Sequence, residues 1–151
     1  MKAWANQDAF GIENLKQTER PEPTPRAGEV VVDMKAASLN WRDLMTVTGG
    51  TGNKPPLVPF SDGAGVVSAV GSGVSRVRVG DRVCPSFFQS WLSGPPTAES
   101  GTRALGGPLD GVLQEHMKLI AEEFRRFRIT CRSRKPRPCP ARGSPHGARL
   151  R

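Results

Sequence analysis

Residues 56–83 read PLVPFSDGAGVVSAVGSGVSRVRVGDRV, and this stretch decides the fold class. Residues 63–70 (GAGVVSAV) combine small and β-branched side chains, which suit a pleated strand. Gly71-Ser72-Gly73 turns the chain, and Val74, Val77 and Val79 then alternate loosely with polar and charged residues. Gly80-Asp81 makes a second turn into residues 82–84 (RVC), another short strand. Short strands linked by glycine turns predict a mainly β barrel or sandwich.

The pattern extends in both directions. Residues 29–38 (EVVVDMKAAS) form the clearest strand, because three consecutive Val stiffen the chain in an extended form. Residues 40–47 (NWRDLMTV) predict a short helix with Asn40 as its cap. Residues 1–18 have room for one or two short strands, and Pro21, Pro23 and Pro25 mark an extended connector. Residues 49–59 hold three Gly and three Pro and predict a loop. Residues 87–107 predict a long loop of the kind that often carries function, and residues 111–120 (GVLQEHMKLI) a final strand.

The formal charge of +8 is not spread over the chain. Residues 1–120 hold 12 Lys and Arg against 12 Asp and Glu, whereas residues 121–151 hold 10 against 2. The body therefore gives no electrostatic case for nucleic-acid binding. Two segments are expected: a β-domain over residues 1–123, and an Arg/Pro-rich tail over 124–151 too poor in apolar residues to order itself. Arg, Pro, Ala and Gly belong to GC-rich codon boxes, so a frame change in the coding DNA is the expected origin of the tail. The competing reading is a cationic arm that binds nucleic acid or an acidic partner by neutralising phosphates or carboxylates.

Several classes of chemistry lack their residues. Cys84, Cys131 and Cys139 form no CxxC, and an odd count gives no disulfide framework, which fits a reducing, cytoplasmic setting. His116 and His146 lie far apart, so no metal site is expected. Gly63-Ala64-Gly65 lacks the third glycine of a dinucleotide loop and leads into a strand instead of a helix. No GxSxG marks a nucleophile, and no apolar run is long enough to span a membrane.

Four segments in order carry a family resemblance: 28–45 (GEVVVDMKAASLNWRDLM), 56–83, 85–94 (PSFFQSWLSG) and 105–119 (LGGPLDGVLQEHMKL). Together they resemble the medium-chain dehydrogenase/reductase superfamily, among its zinc-type alcohol dehydrogenase-like and quinone oxidoreductase-like members. The likeness covers roughly residues 1–123. It implies a GroES-like, partly open barrel with short helices, here incomplete.

The departures from that family shape the functional expectation. Zinc-dependent members carry Cys where Asn40 stands, and Gly-His-Glu where Phe60-Ser61-Asp62 stands. The lobe of four cysteines expected after Val83 is missing as well. The resemblance thus implies a zinc-free enzyme passing hydride from NADPH or NADH to a C=C or C=O bond of a small molecule. Asn40 is the candidate catalytic and cofactor-contacting residue, through its amide, or else only the cap of its helix. Trp41, Phe87, Phe88 and Trp91 are candidates for the substrate pocket, or else ordinary core. Asp43 is expected to pair with Arg42 or a backbone N–H. Family members continue into a Rossmann domain that holds the main cofactor site, so this chain alone is expected to bind no cofactor tightly and to show little activity.

Overall fold

The computed structural model describes residues 1–91, 93–95, 97 and 101–126. The strands are β1 (Lys2–Asn6), β2 (Leu15–Glu19), β3 (Glu29–Ser38), β4 (Asp62–Val70), β5 (Arg82–Pro85), β6 (His116–Ile120) and β7 (Phe124–Arg126). Among the described residues, one α-helix, α1 (Trp41–Val47), leaves the end of β3, and a single 3-10 turn (Ile12–Asn14) precedes β2. Strands β1 and β2 pair in a small antiparallel sheet. The other five form a second sheet in the order β6-β3-β4-β5-β7, and neither sheet closes on itself. This is the mainly β, open-barrel architecture expected. No helix among the described residues is long and apolar enough to cross a membrane.

The β3–β4 ladder organises the larger sheet. It runs antiparallel from Val30 opposite Val70 to Ser38 opposite Asp62. Two bulges interrupt it, with Ser68 the extra residue in β4 and Lys35 the extra residue in β3. Bulges sharpen twist and bend a strand, which lets a sheet curl towards a barrel. Gly65 permits the closest approach, since a Cβ there would overlap the carbonyl oxygen of Asp33. The Gly-Ala-Gly run therefore serves strand packing.

Val30, Val32, Val67, Val83, Leu105 and Phe124 bury their side chains in one core. A smaller cluster of Ala3, Ala5 and Val58 joins the β1–β2 sheet to the segment before β4.

Two boundaries differ from the sequence expectation. The last long strand begins at His116, not Gly111. Gly111 instead packs against the backbone of Pro59 and Phe60 and donates its N–H to Val58, a contact no larger residue would fit. The ordered sheet also passes Glu123. Phe124 is 1% exposed, and β7 pairs with β5 through Pro85 opposite Phe124. One aromatic side chain inserted in the core draws two arginines of the basic segment into the sheet. The remainder of that segment, residues 127–151, lies outside the described residues, as do the expectations for it.

Phe124→Ala is expected to lower unfolding free energy by about 3–5 kcal/mol, the range for truncating a buried aromatic. Urea denaturation followed by circular dichroism measures it. A loss below about 1 kcal/mol would show that β7 is dispensable to the core.

Candidate functional site

The end of the β3–β4 ladder sets the site. Ser38 lies opposite Asp62, so Asn40 and Ser61 both lie just beyond the last pair. Asn40 has extended dihedrals (φ −125°, ψ 159°) and occupies the N-cap position of α1. Its backbone N–H donates to the Asp43 carboxylate at 2.7 Å, the returning half of a capping box. Its side-chain Nδ2 donates to Asp62 Oδ2 at 2.5 Å, 22 residues along the chain. Ser61 Oγ donates to the same Asp62 oxygen at 3.3 Å. Asn40 thus begins the helix and also ties it to the first residue of β4.

Asp43 is 2% exposed, which is unusual for a carboxylate. Burial raises its pKa above the ordinary 3.8, and the nearby Asp62 charge adds to the rise. The backbone N–H groups of Asn40 and Ser61, and the Arg42 charge, oppose it. The expected backbone N–H partner is therefore present. Asp43 fastens the start of α1 to the turn before β4 from inside, while Asp62 does so from outside.

Arg42 joins the long loop to this hub. Its Nη2 donates to the Gly107 carbonyl at 2.6 Å, and its guanidinium sits 5.1 Å from the centre of the Phe87 ring. That lies within cation–π range. The loop has its own lacing: Gln89 N–H donates to Arg103 and Leu105 N–H to Phe87. Phe87 and Phe88 have ring centroids 4.3 Å apart, and Phe88 and Trp91 are 5.8 Å apart. Three of the four candidate pocket aromatics therefore form one group, as edge-tilted rings do. Trp41 joins no ring contact among the described residues and is 75% exposed.

Helix α1 buries Asp43, Thr46 and Val47 while exposing Trp41, Leu44 and Met45. Thr46 Oγ1 is buried without a hydrogen-bond partner. Ordinary amphipathic packing turns apolar residues inward, so the apolar face bearing Trp41 is the side available to a ligand or a covering element.

Phe60 carries the only non-glycine positive φ among the described residues, 74°. Such a conformation costs on the order of 1–3 kcal/mol and survives only where its surroundings enforce it. Here the Phe60 carbonyl accepts the Val112 N–H at 2.8 Å, and its ring packs against the main core. The strain lies immediately before Ser61 and Asp62 and fixes their direction.

Sequence reasoning singled out Asn40 but not the Asp62 that bonds it, nor the contacts of Arg42. The available signal was the family resemblance, which sets Ser61-Asp62 where zinc-dependent members are expected to carry His-Glu. Among the described residues, no group of three or more His, Cys, Asp and Glu side chains gathers as a metal site would.

Asp43 gives a pH test. Its folded pKa lies above the unfolded one, so its stabilising share is complete below the unfolded value and is lost as pH rises through the folded value. The stability of Asp43→Asn relative to the natural chain is expected to improve between about pH 3.5 and pH 7. Urea melts of both proteins across that window check it; a difference that stays flat or falls contradicts the burial argument.

Comparison with known proteins agrees with this architecture. The sequence profile of the alcohol dehydrogenase GroES-like domain matches residues 26–126. A zinc-type alcohol dehydrogenase-like protein of Schizosaccharomyces pombe is 44% identical over 115 residues, covering 74% of this chain and 33% of the relative. The cobalt- and zinc-bound thermostable alcohol dehydrogenase of Pyrobaculum aerophilum superposes with a TM-score of 0.73 at 30% identity, over 85% of this chain and 41% of that one. A quinone oxidoreductase of Pseudomonas syringae pv. Tomato DC3000 superposes with a TM-score of 0.63 at 26% identity, over 87% of this chain and 35% of that one. The chain thus spans between a third and two fifths of the length of these relatives.

Proposed function

This chain belongs to the alcohol dehydrogenase GroES-like domain family, and from that premise we propose that it is the catalytic-domain portion of a zinc-independent, NAD(P)H-dependent oxidoreductase. A bound nicotinamide cofactor would supply a hydride to a C=C or C=O bond, with solvent supplying the proton. One observation carries the reading. Where the resemblance sets the thiolate and imidazole ligands of zinc-dependent members, this chain has Asn40 and Ser61, an amide and a hydroxyl that both donate to Asp62.

Zinc does not suit these residues. It is held by three or four thiolate, imidazole or carboxylate ligands in a tetrahedral set. Of Asn40, Ser61 and Asp62 only Asp62 is of that kind, and its Oδ2 already accepts from the Asn40 amide and the Ser61 hydroxyl. The cluster satisfies its own polar groups without a cation.

The cofactor fits only in part. Asn40, half-buried beside an exposed aromatic, offers a polar contact and an apolar face of the kind a nicotinamide ring uses. When bound, the cofactor supplies the hydride; Asn40 would orient the reacting end, and Phe87, Phe88 and Trp91 would limit water beside it. No described segment offers a pyrophosphate loop, since Gly63-Ala64-Gly65 lies within β4. The dinucleotide would therefore be held mainly by a domain of the kind that makes up the rest of the relatives' length. A small molecule with a reducible double bond is the substrate class.

Two experiments follow. Calorimetry of the purified chain with NADPH is expected to show no micromolar binding; a dissociation constant of about 10 μM or below would place a complete cofactor site in this chain. A chimera tests the chemistry: residues 1–126 replace the matching segment of the S. pombe relative. NADPH-dependent reduction of quinones and enones is expected to survive EDTA and to fall at least about tenfold in the Asn40→Ala chimera, the size of one lost polar contact in a transition state. Activity abolished by EDTA would overturn the zinc-free reading. Activity indifferent to Asn40 would overturn its role.

A further inference from the structure

Two buried polar atoms of α1 lack a hydrogen-bond partner among the described residues: Arg42 Nε and Thr46 Oγ1. Their residues are four apart, so they share one face of the helix with Cβ atoms about 5–6 Å apart. A helical side chain leans towards the N-terminus, which turns Thr46 back over the turn that carries Arg42. The far end of Arg42 is already engaged. Its Nη2 donates to the Gly107 carbonyl at 2.6 Å, and its guanidinium sits 5.1 Å from the centre of the Phe87 ring. A planar guanidinium held at two points cannot swing its Nε–H elsewhere. Thr46 is 1% exposed, and its hydroxyl does not bond the carbonyl four residues back, as a helical threonine often does.

We propose that one buried water molecule bridges Arg42 Nε and Thr46 Oγ1. The chemistry of the two groups selects it. The Nε–H is a donor only, whereas the threonine hydroxyl donates or accepts. Water takes the Nε–H on a lone pair and gives a proton to Oγ1, so neither group stays unpaired. A direct bond would also suit these atoms, yet they form none among the described residues. A bridging water spans about 5.5 Å between its partners, twice an ordinary hydrogen-bond length. Leaving a donor and a hydroxyl unpaired in the interior is unfavourable, and native proteins place ordered water at such polar sites. Cavities that stay dry are lined by apolar groups instead. The bridge has a structural consequence. It fixes the stem of Arg42, the side chain that ties the group of Phe87, Phe88 and Trp91 to α1. This inference is independent of the proposed chemistry.

Thr46→Val gives a test whose sign decides. Valine keeps the branched shape and nearly the same helix propensity but loses the hydroxyl. With a bridging water, the variant strands one of its protons, and the urea midpoint is expected to fall by roughly 0.5 M, the size expected for one net hydrogen bond. Without a water, removing an unpaired buried hydroxyl raises the midpoint or leaves it unchanged. The bridge also couples the two residues, so in an Arg42→Met background Thr46→Val is expected to lower the midpoint by less than about half as much. A high-resolution crystal structure of the full chain is expected to show one water within hydrogen-bond distance of both atoms. A midpoint that rises or holds in Thr46→Val overturns the inference. So does a fall of the same size in both backgrounds, or density showing the two atoms bonded directly or with nothing between them. Should the variants fail to fold, the crystal structure of the natural chain decides by itself.

Discussion

The close pairing of β3 with β4 is the constraint on which the rest of this structure depends. It places two strands side by side at a separation that only glycine at position 65 permits. Through the neighbouring strands it gathers Val30, Val32, Val67 and Val83 into the core. At its far end, Ser38 opposite Asp62 delivers the cap of α1 to the start of β4. Fold and site are therefore one object. A register slip of one residue would turn the core-facing valines of one strand away and part Asn40 from Asp62 together.

The polar groups at that end satisfy one another in layers. Inside, a buried carboxylate accepts backbone N–H groups and so fixes the helix start. Outside, an amide and a hydroxyl share one oxygen of Asp62. A metal ion could supply the same organising force in a related fold, since ligands are held in place by what they bind. Here hydrogen bonds and one strained residue, Phe60, hold the described side chains in place. The strain at Phe60 is local, and the packing around it is extensive enough to hold it.

Local chemistry made much of the fold legible in the sequence. Three consecutive Val in β3, the Asn before α1 and the glycine turns flanking β4 each specify their neighbourhood without help from distant residues. The elements misjudged depend on distant contacts. Gly111 reads as the start of a strand, yet its place is set by the backbone of Pro59 and Phe60. Phe124 begins a basic stretch whose composition conceals a strand, and only its burial between strands reveals it. The same holds at the site. Asn40 announces itself as a cap, but the Asp62 that binds it lies 22 positions away and the carbonyl that holds Arg42 lies 65 away. No periodicity encodes such pairings.

The central claim is that an amide–carboxylate pair, and not a metal, organises the end of the β3–β4 ladder. The side-chain amide of Asn40 reports on it directly in a 15N-labelled sample of the full chain. The account predicts one Nδ2 proton shifted downfield and slow to exchange, returned to ordinary values by Asp62→Ala and undisturbed by equimolar zinc. An amide pair that exchanges freely in the natural chain, or one displaced stoichiometrically by zinc, would contradict it.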